Sequence, residues 1–177
     1  MICESNPPSI EWIGGIAIFA FVFRAINIPS LSRASRDWYS KCLRPVVPGA
    51  PPGWAFGAAW SILYICIFVS AFLAWAYRCK FSKDSIYNAT LAMFVINIIA
   101  NQIWTALFFG AANFLLAFLD LAVIFFTALA YAILIFCAGS GVALTFAAWL
   151  MVPYLLWLLY AGYINAAAIY IQSKNKS

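Results

Sequence analysis

The sequence predicts an all-α integral membrane protein, a bundle of five transmembrane helices forming one membrane domain over 1–177. Three observations predict it. Of the 177 residues, 67% are hydrophobic and only 8% charged, against about 25% charged in ordinary soluble domains. Five apolar runs are long enough to cross ~30 Å of hydrocarbon, which takes ~20 helical residues. The gaps between them are short and filled with helix breakers or charge.

The runs are 9–27, 53–77, 87–109, 113–138 and 142–171. The first has acids near its start (Glu4, Glu11) and no small-residue cleavage site before Arg24, so it reads as a mature helix and not a signal peptide. The loop 28–52 holds Pro29, Pro45, Pro48, Pro51 and Pro52, and ends where the second run begins. A charged stretch, 78–84, separates the second and third runs. Gly110-Ala111-Ala112-Asn113 and Gly139-Ser140-Gly141 separate the later ones. Pro153 falls inside the fifth run, where it leaves the Trp149 carbonyl without its helical partner and is expected to kink the helix. A β-barrel would need segments of about ten residues with alternating polarity, and the sequence has none.

Basic residues set the expected orientation. Arg24, Arg33, Arg36, Lys41, Arg44, Lys174 and Lys176 fall on one side of a five-span topology, and Arg78, Lys80 and Lys83 on the other. That bias puts the first loop and the C-terminus in the cytosol. The formal net charge of +5 then reflects attraction to an anionic membrane surface, and no nucleic-acid partner is expected.

Several chemistries are excluded by composition. There is no histidine, which removes His-ligated haem and any Ser-His-Asp or Cys-His arrangement within one chain. The five cysteines show no C-x-x-C spacing, which argues against a zinc site or a disulfide scaffold. No phosphate-binding glycine loop is present, so neither a nucleotide cofactor nor nucleotide-driven transport is expected.

Polar side chains in apolar runs are costly, so their depth is informative. With the orientation above, Arg24, Asn27, Asn101, Gln102, Trp104, Asp120 and Asn165 all fall in the cytosolic half, joined by Trp60 and Tyr64. This pattern predicts a polar, aromatic chamber open toward the leaflet where the first loop sits. Trp60, Trp104 and Trp157 lie too deep for simple interface anchors and are divided between packing and pocket roles. Arg24 and Asp120 share a depth, and two readings stay open for them: an ion pair joining the first and fourth spans, or direct contact with a ligand.

Particular residues carry a family resemblance. Trp38-Tyr39, Arg44-Pro45, Pro51-Pro52-Gly53-Trp54-Ala55-Phe56-Gly57 and Trp60 to Tyr64 come first. Asn101, Trp104, Phe108-Phe109-Gly110 and Asp120 follow, then Pro153-Tyr154, Trp157, Ala161 and Asn165. Taken in this order, the sequence resembles the translocator protein (TspO/MBR) family. The resemblance implies a five-helix bundle, often a homodimer, that binds porphyrins of the protoporphyrin IX type in a cavity covered by the first loop. It implies no resident cofactor, the porphyrin being a ligand. By position, Trp38, Pro45, Trp54, Trp60, Asn101, Trp104, Trp157 and Asn165 would line or support the cavity. The expected function is a porphyrin receptor or sensor in a bacterial cell membrane or mitochondrial outer membrane. The alternatives are a tetrapyrrole or lipid transport protein and a light-dependent porphyrin-degrading enzyme, for which Trp60 and Trp157 are the candidate catalytic residues. Two departures are visible. Between Pro45 and Pro51 the chain reads Val-Val-Pro-Gly-Ala, longer than the family's usual spacing, and the tail lacks the sterol motif around Tyr170.

Overall fold

A computed structural model describes Asp37 and residues 39–174. The expected first span, together with Arg24 and Trp38, lies outside the described residues. Five helices organise the rest: α1 (Gly53–Ala76), α2 (Asp84–Thr105), α3 (Phe114–Ala138), α4 (Val142–Trp149) and α5 (Val152–Lys174). Among the described residues four helical stretches are long and apolar enough to cross a membrane: Gly53–Ala76, Asp84–Gly110, Phe114–Ala138 and Val142–Lys174. Among these residues the one extended pairing is an isolated bridge between Phe81 and Gly139.

Local chemistry explains the ends. Pro52 sits at the N-cap of α1, where a residue without an N–H costs nothing because the first helical donors have no partner anyway. Asn113 caps α3, its side chain accepting the Leu116 N–H at 3.1 Å. Between α2 and α3 the chain tightens into a π-turn, Ala106–Gly110, and reverses through Ala112 at φ 49°. The fifth span is interrupted as Pro153 predicts: α4 ends at Trp149, Met151 N–H turns back to the Ala148 carbonyl, and α5 starts at Val152.

The described helices pack closely at one end and spread at the other. α2 and α3 pair most extensively, α3 also packs on α4 and α5, and α1 lies mainly against α4 and only lightly against α5. Where α1 meets α4 the contact is made by small residues. Ser70 is fully buried and donates to the Ala147 carbonyl at 2.7 Å, while its oxygen lies 3.3 Å from the Tyr131 hydroxyl on α3. With no hydrophobic drive between helices in lipid, such close backbone approach and shared hydrogen bonds supply the association. At the same end Ser82 N–H bonds the Ala138 carbonyl and Ser140 N–H the Lys80 carbonyl. At the other end, the loop preceding α1 folds back over the bundle, with Tyr39, Leu43 and Val47 buried.

Cys79, beside the turn after α1, is disulfide-bonded, whereas Cys42, Cys66 and Cys137 are free, so a bond is present without a disulfide scaffold among the described residues. Spacing alone gave no sign of this bond, because pairing depends on which chain segments the fold brings together.

A substitution at the closed end tests this packing. A Cβ on Gly139 would sit 2.5 Å from the Ile135 carbonyl oxygen and 2.7 Å from Leu144 Cδ1, whereas one on Gly57 meets nothing within 4 Å. Gly139→Ala is therefore expected to lower thermal stability in detergent by about 1–3 kcal/mol, with Gly57→Ala neutral or slightly stabilising. Equal melting temperatures for the two variants would contradict the close approach at this end.

Candidate functional site

At the spread end, bulky aromatic side chains from the helices and the loop meet one another. Trp60 on α1 stacks on Tyr64 at 5.1 Å and meets Tyr154 and Trp157 of α5 edge-on at 6.1 and 6.5 Å. Phe56, one turn before Trp60, meets Trp157 at 5.8 Å and Phe109 at 6.0 Å. Trp104 on α2 stacks on Phe108 at 4.9 Å and touches Phe109 at 5.9 Å. Tyr39 closes the group from the loop, 5.3 Å from Phe56 and 6.2 Å from Phe109. Most of these pairs are edge-to-face, the arrangement that ring quadrupoles favour. Together they form an aromatic box with walls from α1, α2 and α5 and a cover from the loop.

Below the box runs one chain of hydrogen bonds through all four described spans. Tyr64 on α1 donates to Asn101 Oδ1 at 3.3 Å. Asn101 Nδ2 donates to the Tyr154 hydroxyl oxygen at 3.0 Å, and Tyr154 donates in turn to Asn97 Oδ1 at 3.1 Å. Asn97 Nδ2 reaches the Ile124 carbonyl at 2.7 Å and Thr127 Oγ1 at 3.0 Å on α3. A second, shorter link joins Trp104 Nε1 to Asn165 Oδ1 at 3.3 Å, and Asn165 Nδ2 to the Phe114 carbonyl at 2.7 Å. Asn97, Asn101 and Trp104 share a helix face because they stand four and then three residues apart. Each polar group finds a partner here, as burial away from water requires.

Trp60, Asn101, Trp104, Trp157 and Asn165 are thus brought into one connected cluster, by ring contacts or hydrogen bonds. Trp54 stands apart at 74% exposure in the first turn of α1, where an indole suits the membrane interface. Pro45 is exposed in the loop between the buried Leu43 and Val47. Trp38 lies outside the described residues. Asp120 is partly buried on α3, and its Oδ2 has no hydrogen-bond partner among the described residues. Its expected partner Arg24 lies outside them. Trp157 Nε1 is also buried without a partner.

Several residues of this end were not singled out from the sequence. Asn97 carried a usable signal, since it repeats the helical spacing of Asn101 and Trp104. Tyr39 enters the sequence analysis only as part of the family resemblance; it is 2% exposed and donates to the Pro51 carbonyl at 2.8 Å. Burial pushes its phenol up to about 12, helped by Tyr160 and opposed by Arg44, so it remains a donor throughout the physiological range. Tyr160 and Tyr163 donate to loop carbonyls, Gly49 at 2.7 Å and Pro48 at 2.8 Å. No sequence pattern marks a bond to a backbone carbonyl in a distant loop.

The arrangement offers stacking surfaces and a buried indole donor, Trp157 Nε1, without a partner among the described residues. The sequence has no histidine, and the amides of Asn97, Asn101 and Asn165 are bonded to side chains or carbonyls of neighbouring helices.

Comparison with known proteins bears on the family resemblance of the sequence. The model of the TspO/MBR family matches residues 15–171. The tryptophan-rich protein TspO of Archaeoglobus fulgidus is 31% identical over 136 residues, covering 77% of this chain and 80% of that protein. The translocator protein of Ovis aries is 33% identical, covering 72% of this chain and 70% of its own length. Protein CrtK of Rhodobacter capsulatus is 29% identical, with 72% and 74% covered.

The hydrogen-bond chain makes its own prediction. Tyr154→Phe removes one hydroxyl but strands two groups, Asn101 Nδ2 and Asn97 Oδ1. The expected loss is about 1–3 kcal/mol, above the ~0.6 kcal/mol typical of one interhelical bond in a membrane. Thermal unfolding in detergent measures it, with the exposed Tyr170→Phe as the control that should not change. A Tyr154→Phe protein as stable as the control would show that the relay does not hold the spans together.

Proposed function

The chain belongs to the TspO/MBR family, and from that premise we propose that it is a membrane receptor or sensor for porphyrins of the protoporphyrin IX type. In this reading residues 9–27 supply a fifth span, the loop end faces the cytosol, and the aromatic box under the loop takes the flat macrocycle. The observation that supports it most is Trp157. Its ring meets Phe56, Trp60 and Tyr160, while its buried Nε1 has no partner among the described residues. A buried donor left unpaired costs free energy until an acceptor arrives. A ligand with a large π face and a peripheral carboxylate answers both features, stacking on the indoles and accepting from Nε1.

Titration of the purified protein with protoporphyrin IX, followed by tryptophan quenching, tests the proposal. An unrelated membrane protein in the same detergent is the control. Saturation near one equivalent per chain at micromolar affinity is expected as an order of magnitude, with Trp157→Phe binding several-fold more weakly. Equal quenching of both proteins means detergent partitioning and ends the reading.

A second reading, light-dependent porphyrin breakdown, is favoured by the proximity of two oxidisable indoles, Trp60 and Trp157, at 6.5 Å. It predicts that illumination in air converts the bound porphyrin to a defined product in the wild type, while Trp60→Phe and Trp157→Phe bind but do not form it. Equal bleaching in wild type, both variants and empty detergent leaves only the binding role.

A further inference from the structure

The loop that covers the box is built around one turn. Val47, Pro48, Gly49 and Ala50 close with a single internal bond, Ala50 N–H to the Val47 carbonyl at 3.1 Å. Pro48 precedes Gly49, whose φ is +75°, the residue order and dihedral of a type II turn. Such a turn uses the carbonyl of its first residue and leaves those of its two central residues pointing away from it. Here both are taken by α5. Tyr163 donates to Pro48 O at 2.8 Å and Tyr160 to Gly49 O at 2.7 Å. Three residues apart, the two phenols lie on one face of the helix and match two consecutive carbonyls. The turn lies within the segment Val-Val-Pro-Gly-Ala that makes this loop longer than its family's usual spacing.

The two tyrosines are anchored differently. The Tyr160 ring packs on Trp157 at 5.5 Å, so the hydroxyl on the loop and the wall of the box belong to one rigid stretch of α5. The Tyr163 ring lines an outward apolar groove with Phe118, Leu121 and Gly162. Its aromatic body therefore lies among apolar side chains while its polar tip reaches the loop. Two further contacts hold the loop, the buried Leu43 and Val47 and the Tyr39 bond to Pro51. Leu43 and the Tyr39 bond flank the turn, and Val47 is its buried first residue. The phenols alone tie the turn itself to α5 among the bonds described.

We propose that Tyr160 and Tyr163 are positioning residues that clasp the loop to the fifth span and so set the rate at which the occupant of the aromatic box exchanges with the water beyond the loop. This rests on the porphyrin reading only for the identity of the occupant. A clasp that is equally closed over empty and filled protein slows entry and exit by the same factor and leaves the equilibrium untouched. A residue that touches ligand, or that merely keeps the pocket folded, changes the equilibrium instead.

The experiment compares wild type, Tyr160→Phe, Tyr163→Phe and the double variant as full chains in lipid nanodiscs, with Tyr170→Phe as control. Hydrogen exchange of the 44–50 segment, whose Arg44, Val46, Val47 and Ala50 amides are bonded, reads the loop without any ligand. Each single variant is expected to exchange about fivefold faster, the factor for one net hydrogen bond, and the double variant faster again. Stopped-flow mixing with protoporphyrin IX is expected to give association and dissociation constants raised together, at unchanged Kd. If the double variant exchanges no faster than wild type, the clasp is wrong whatever the ligand. A raised Kd at unchanged loop exchange overturns it in favour of direct ligand contact. If exchange responds as expected but no variant, wild type included, binds porphyrin, the clasp stands and the porphyrin reading falls.

Discussion

The Tyr154 hydroxyl accepts from Asn101 and donates to Asn97, and on that pair of hydrogen bonds the loop end of the described helices depends. In hydrocarbon there is no water to take over a lost partner, so two amides from α2 can be buried only where a group of dual character stands between them. A hydroxyl is such a group, since it donates and accepts at once. Its position on α5 fixes the register of α5 against α2, although their backbones approach only lightly. Trp157 is one turn further along and inherits that register. So does Asn165, which receives the Trp104 indole.

The interruption at Leu150 and Met151 makes this geometry possible. α4 is held close to α1 by Ser70 on the Ala147 carbonyl, a contact that needs small residues on both sides. If the fifth span continued straight, α5 would keep that close approach and leave no room for Phe56, Trp60 and Trp157 between the helices. Breaking the helix before Pro153 lets the two halves obey different packing rules, small against small at one end and ring against ring at the other. The box is a consequence of the break as much as of the rings.

Much of this was legible in the sequence, for identifiable physical reasons. The runs 53–77, 87–109, 113–138 and 142–171 stand out because nothing but membrane accommodates them, and the helices begin and end within a few residues of those bounds. Asn101, Trp104 and Asn165 are conspicuous as polar or amphipathic side chains inside apolar runs. Pro153 announces its break through a missing N–H. Tyr160 and Tyr163 could not be read in the same way, because a tyrosine near the end of a span is ordinarily an interface anchor. Their partners are carbonyls of a turn more than a hundred residues away in the chain. The Cys79 bond was hidden for a related reason: cysteine spacing says nothing about spatial proximity.

The asymmetry of the bundle also bears on how the proposed occupant would be handled. A carrier working by alternating access needs a site that opens in turn to each face, usually by rocking one group of helices against another. Here the end away from the loop is closed by Ser70, Tyr131 and the Ala147 carbonyl in mutual contact, and by backbone bonds between the turns at 80–82 and 138–140. Opening that end would strip the hydrogen bonds of Ser70 and Tyr131, which are buried and have no water to replace them. The loop end is held by side-chain bonds at the surface, where water can substitute for each one as it breaks. Under the porphyrin reading, that difference in cost favours exchange through the loop end.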